Sequence, residues 1–286
     1  MAMVAESQPK SLPLRTLRVG ERTLAYRRTG TGDPVLLVHG ITTHSFLFEG
    51  VMRRLAASGR NDLVAVDLLG CGSSDKPLDT SYALKDQAVL LARFCAELSL
   101  GPVHVVGHDL GGGIAQILAV RQPGLVRSLA MLNTVGYDRW PVQPISALRT
   151  PVIREILLAA IDLGAFHLLI RRAMFHKERL TPALMADFLS PLATPEGRKA
   201  FVHLARGLDH ANLMEIAPDL KRLRLPTTVI WGLADVFLSF AIAERLVADI
   251  PGARLVTIPT AGHMVTLDEP ELVAAALREH LDAAGG

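Results

Sequence analysis

Eight short runs of the chain are β-branched or alternate between apolar and polar residues, and each ends on glycine or polar punctuation. They are LRTLRV from residue 14, TLAYRR from 23, VLLV from 35, LVAV from 63, VHVV from 103, LAML from 129, TTVIW from 227 and RLVTI from 254. Each run predicts a strand. The first two, joined by Gly20-Glu21-Arg22, predict an antiparallel hairpin at a sheet edge. Between the later runs the apolar spacing becomes helical, as in Leu91, Phe94, Cys95 and Leu98. The same holds for Leu272, Val273, Ala276, Leu277 and Leu281 behind Pro270, a residue suited to the first position of a helix. Strand alternating with helix predicts an α/β chain with a mostly parallel eight-stranded sheet and helices on both faces.

The alternation stops at about residue 136 and resumes at about 216. In between, no β-branched run appears, the spacing is helical, and Pro141, Pro144, Pro151, Pro182, Pro191 and Pro195 interrupt it. The expected organisation is therefore a core (1–135), an inserted helical cap or lid (136–215) and the second part of the core (216–286). A lid placed there covers the carboxyl ends of the strands, where open α/β sheets hold their ligands.

Half of the 286 residues are hydrophobic, enough for a substantial core, and 30 Lys and Arg against 28 Asp and Glu leave a formal charge of only +2. No long-range field marks nucleic acid or an anionic membrane as a partner, and a small, mainly hydrophobic molecule fits better. How many copies associate is left open. The two cysteines, Cys71 and Cys95, have no disulfide or zinc spacing, which points to a reducing cytoplasm. The amino terminus, MAMVAESQPKSLPLRT, lacks the apolar core of an export signal and reads as a tail. The apolar run 152–170 carries Arg154, Glu155, Asp162 and His167, too many charges for a membrane span.

The candidate chemistry starts at VHVVGHDLGGG, residues 103–113. Gly107 and Gly111 let a strand turn sharply into a helix, and Asp109 stands at the turn where a nucleophile could be presented. The plain alternative is an aspartate capping a helix. Two later stretches weigh against it: VIWGLAD places Asp235 just beyond a strand, and AGHMVTLDEP places His263 just beyond the last one. A third, LLVHGITTHSF, follows a strand with His39-Gly40, so the N–H groups of Ile41 and Leu110 could form an oxyanion hole. Chemistry by such residues requires neither a metal nor an organic cofactor, and the sequence has no HExxH or paired-histidine spacing.

With nucleophile, acid and histidine in this order, and with VDLLGCGSSDKP at 66–77, the chain resembles an α/β-hydrolase with a helical cap, from about residue 14 to residue 282. Asp109 makes it similar to the branch containing epoxide hydrolases and haloalkane or haloacetate dehalogenases. The resemblance implies attack of Asp109 on a saturated carbon, then release of the ester by water that His263, held by Asp235, deprotonates. It also shows departures. Leu110 stands where dehalogenases have Trp or Arg, Ile41 where haloalkane dehalogenases often have Asn, and Thr42 where epoxide hydrolases have Pro. Tyr137 is the single tyrosine of the inserted segment, where epoxide hydrolases use two.

The expected activity is cofactor-independent hydrolysis, with epoxide opening first and hydrolytic dehalogenation as the alternative. Two further alternatives keep Asp109 as a base in ester, lactone or carbon–carbon bond hydrolysis, or make the chain a non-catalytic ligand binder. His44, Asn133, Tyr137 and Trp140, near the predicted rim, are the candidates to contact substrate or leaving group, with a bond to the acid as the other role open to Asn133.

Overall fold

All eight runs fold as strands in a computed structural model that describes residues 11–285; residues 1–10 of the expected tail lie outside the described residues, and its last three residues are already in a strand. The strands are β1 (Leu14–Val19), β2 (Arg22–Gly30), β3 (Asp33–Val38), β4 (Asn61–Val66), β5 (Val103–Asp109), β6 (Val126–Thr134), β7 (Thr227–Gly232) and β8 (Arg254–Ile258). They form one sheet in the order β1-β2-β4-β3-β5-β6-β7-β8. β2 runs antiparallel to β1 and β4, giving the predicted hairpin at the edge, and the remaining neighbours are parallel.

The helices are α1 (Glu49–Ala56), α2 (Leu84–Glu97), α3 (Leu110–Arg121), α4 (Pro151–Asp162), α5 (Ala165–Ala173) and α6 (Pro182–Leu189). They continue with α7 (Pro195–Gly207), α8 (Ala211–Met214), α9 (Ala217–Leu220), α10 (Ala241–Asp249), α11 (Val265–Asp268) and α12 (Pro270–Ala284). The pleat of the central strands divides their side chains between two cores. Leu36, Val38, Val105 and Met131 join α2, α3 and α10 on one face. Val35, Leu37, Val106 and Leu132 join α1 and α12 on the other. Both faces are apolar because both are covered, which is why these strands read as continuous rather than alternating runs.

Between β6 and β7 the described residues form helices and short turns, with no strand. The prolines there act as starts as well as breaks: Pro151, Pro182 and Pro195 each open a helix. Behind two of them a threonine satisfies a free amide, Thr181 Oγ1 accepting from Leu184 at 3.2 Å and Thr194 Oγ1 from Gly197 at 3.1 Å. No helix among the described residues is long and apolar enough to cross a membrane. Because β3, β5, β6, β7 and β8 are parallel, Ile41, Asp109, Asn133, Asp235 and His263 all lie at or just beyond the same end of the sheet.

A polar chain is buried deeper in the sheet. Ser128 Oγ lies 2.7 Å from His104 Nδ1 and 2.8 Å from His280 Nε2, and Thr228 Oγ1 lies 2.9 Å from His280 Nδ1. Burial, with His104 and Arg254 nearby, pushes His280 down to about 4. Its folded value lies below its unfolded one, so its contribution to stability is complete above pH 6.5 and is lost as pH falls towards 4. Replacing His280 with Leu leaves two hydroxyls short of a partner and is expected to cost about 1–3 kcal/mol at pH 7. The fall in stability between pH 7 and pH 4.5 should shrink by about 2 kcal/mol in the variant, as urea unfolding at both pH values will show.

Candidate active site

β5 turns into α3 at Asp109, whose backbone (φ 52°, ψ −117°) lies in a region that ordinary residues avoid. A side chain at Gly107 would run into the Gly111 carbonyl, so the tight turn requires glycine there. Asp109 makes no side-chain capping bond to α3. Its Oδ2 accepts the Ile41 N–H at 2.9 Å, and the Leu110 N–H is near enough to favour the charged form of the carboxyl group. Of the two expected oxyanion donors, Ile41 thus bonds the aspartate's own carboxyl group and Leu110 lies beside it.

The Ile41 loop is pinned by a buried histidine. His39 Nδ1 donates to the Gly40 carbonyl at 2.7 Å, and its Nε2 accepts from the Leu68 N–H at 2.9 Å. Burial pushes His39 down to about 4, so the ring stays neutral and holds one tautomer. Thr43 Oγ1 adds a bond of 3.1 Å to the same carbonyl.

His263 Nδ1 donates to Asp235 Oδ2 at 2.9 Å, which leaves Nε2 for chemistry. Asp235 also accepts from Asn133 Nδ2 at 2.8 Å and from the N–H groups of Phe237 and Leu238 at 2.8 and 3.0 Å. Asn133 is locked by its own bonds to the backbone of Gly232. From below, His108 Nε2 donates to the His263 carbonyl at 2.8 Å. Burial alone would raise Asp235, but the His263 charge and these bonds hold it below the usual carboxylate range. For His263 burial is likewise outweighed, by Asp235 and then Asp109, and its pKa rises to about 9. Burial raises Asp109 above 3.8 despite the opposing pull of His263, Ile41 and Leu110.

Asp109 and His263 open onto a cavity of about 60 Å³, room for roughly four waters. Most of its wall is apolar, from Ile145, Leu169, Ile170, Ala173, Phe237 and Met264 among others. Pro144, Ile145 and Leu169 also bound a second cavity of about 120 Å³ between α4, α5 and α7, with an entirely apolar lining.

Three of the four expected contact residues are elsewhere, and the fourth takes the other role expected of it. Asn133 serves the acid. Tyr137 donates its hydroxyl to Asp249 at 3.0 Å beneath Arg245, and Trp140 Nε1 donates to the Tyr137 carbonyl at 3.0 Å, so both polar tips are used in packing. His44 lies against Phe46 with Nδ1 3.9 Å from Asp67, away from the cavity. Thr42 and Gln143 are the uncharged polar side chains in the wall instead. Thr42 follows the His39-Gly40-Ile41 signal by one residue, whereas Gln143, between two prolines in a turn, carried no periodic signal. Among the described residues no cluster of three or more His, Cys, Asp or Glu could hold a metal ion.

The model of the alpha/beta hydrolase family matches residues 35–276. Haloalkane dehalogenase 2 of Mycobacterium tuberculosis H37Rv is 29% identical over 279 residues, 89% of this chain and 90% of the relative. The 2-(acetamidomethylene)succinate hydrolase of Mesorhizobium japonicum is also 29% identical, over 99% of this chain and 100% of the relative. The crystal structure of haloalkane dehalogenase DbeA from Bradyrhizobium elkani USDA94 superposes with a TM-score of 0.83 at 27% identity, covering 96% of this chain and 98% of that one.

Because Asp109 adds to Asp235 in holding the proton on His263, Asp109→Asn is expected to lower the His263 pKa from about 9 while Asp235 still keeps it raised, as NMR of ring-labelled histidine will show. In the unaltered protein the raised pKa of His263, set by Asp235 and then by Asp109, contributes stability that is complete below pH 6.5 and is lost as pH rises through about 9. The alkaline loss should be smaller in Asp109→Asn.

Proposed function

The chain belongs to the alpha/beta hydrolase family, and within it we propose a hydrolytic dehalogenase that uses Asp109 as nucleophile on a small hydrophobic haloalkane. The observation that carries this reading is the placement of Ile41 N–H against Oδ2 of Asp109 itself. A hole arranged around the nucleophile's own carboxyl group serves hydrolysis of an ester formed on that group.

The free oxygen of Asp109 attacks the sp³ carbon, and the halide leaves with the bonding electrons, so an alkyl ester forms. Esterification removes the Asp109 charge, one of the two anions that keep His263 protonated, and the imidazole then releases its proton to solvent. Neutral His263 takes a proton from water as the water oxygen attacks the Asp109 carbonyl carbon. Ile41 and Leu110 N–H groups hold the resulting oxyanion. The tetrahedral intermediate collapses, the alkoxide takes the proton back from His263, and the alcohol leaves carrying an oxygen from Asp109.

Halide departure is favoured over epoxide opening, the first expectation from sequence. An epoxide needs an acid for its alkoxide, and among the described residues no tyrosine lines the cavity. A halide needs only weak donors, which Thr42 and Gln143 of the cavity wall would supply. The similarity to proteins named haloalkane dehalogenases supports the same choice.

With a primary bromoalkane, His263→Gln is expected to form the ester and not release it. Turnover should fall roughly 10²–10⁴-fold, and the peptide containing Asp109 should gain the mass of the alkyl group less one hydrogen. Turnover at the unaltered rate with no adduct would count against Asp109 as nucleophile.

A further inference from the structure

Two neighbouring carboxylates at the α11–α12 junction fasten together two segments that are distant in sequence. Asp268 is fully buried, and its carboxylate accepts backbone N–H groups from both: Phe175 at 3.0 Å and His176 at 2.8 Å from the end of the α5 region, and Gly262 at 2.9 Å from the residue before His263. Glu269 repeats the pattern with side chains, through Thr260 Oγ1 at 2.5 Å and His176 Nε2 at 3.1 Å. The Met264 N–H closes the seam on the Ala173 carbonyl at 3.3 Å. The contact is close enough that a side chain at Gly262 would collide with the Ala173 carbonyl.

We infer that Asp268 is a positioning residue that sets His263 against Asp235 and Asp109 only while α5 is seated over the cavity. It touches no reacting atom. It holds the N–H on one side of His263, and the same carboxylate holds the chain that leaves the cavity wall at Leu169, Ile170 and Ala173. Base and wall therefore move as one unit, and a substrate that displaces α5 also displaces the imidazole. The inference rests on the reading of His263 as the base of the second step.

Asp268→Asn places an amide N–H against N–H donors and should loosen the clasp. The first measurement is the titration of His263 by NMR in labelled protein, which needs no turnover. The pKa is expected to fall by about one unit as the bond to Asp235 becomes intermittent. In rapid-mixing experiments with a bromoalkane, ester hydrolysis should slow about tenfold while alkylation of Asp109 stays within about twofold. A folded Asp268→Asn protein in which His263 titrates as before, or in which both steps slow together, overturns the inference.

Should Asp268→Asn not fold, Thr260→Val decides, since it cuts the exposed half of the clasp. A fall of about half a unit in the His263 pKa supports the coupling, and an unchanged titration overturns it. An unaltered protein that never carries an adduct counts against the nucleophile reading alone, because the titration tests the clasp separately.

Discussion

A carboxylate walled in by leucine, isoleucine and phenylalanine loses much of the hydration that keeps it charged, and Asp109 stands in such a place. Burial raises its pKa, and the opposing contributions come from the three groups the fold delivers to it: the N–H groups of Ile41 and Leu110 and the imidazole of His263. Each depends on a separate piece of backbone. Ile41 is set by the loop that His39 pins, Leu110 by the strained turn at residue 109, and His263 by Asp235 from one side and His108 from below. The parallel sheet brings these pieces to a common end.

The same electrostatic coupling orders the proposed reaction. In the resting site, two carboxylates hold a proton on His263, so the imidazole steadies the nucleophile's charge. Once Asp109 is esterified that hold weakens and the imidazole becomes a base. One histidine thus serves opposite roles in consecutive steps, and the switch between them is the loss of a single negative charge. The surrounding cavity is mostly apolar, with Thr42 and Gln143 among the residues of its wall.

The strands were legible because a doubly covered parallel sheet demands continuous β-branched runs, and VLLV, VHVV and TTVIW supply them. Asp109, Asp235 and His263 were legible because each follows such a run, so locating the strands located the residues. Contacts that depend on side-chain direction in irregular segments were not. Tyr137 and Trp140 follow β6 as the rim should, yet Asp249, Arg245 and the Tyr137 carbonyl draw their polar tips into packing. Asp268 gave no signal, because its partners are backbone amides from residues 175, 176 and 262, and a backbone amide has no letter of its own.

The central claim is that the alcohol oxygen comes from Asp109 and is replaced from water afterwards. Enzyme in excess over a primary bromoalkane, allowed a single turnover in ¹⁸O-enriched water, tests it directly. The account predicts alcohol without label and one ¹⁸O in the carboxylate of Asp109, with labelled alcohol emerging only from later turnovers. Labelled alcohol in the first turnover, with Asp109 unlabelled, would mean that water attacks the substrate directly and would contradict the account.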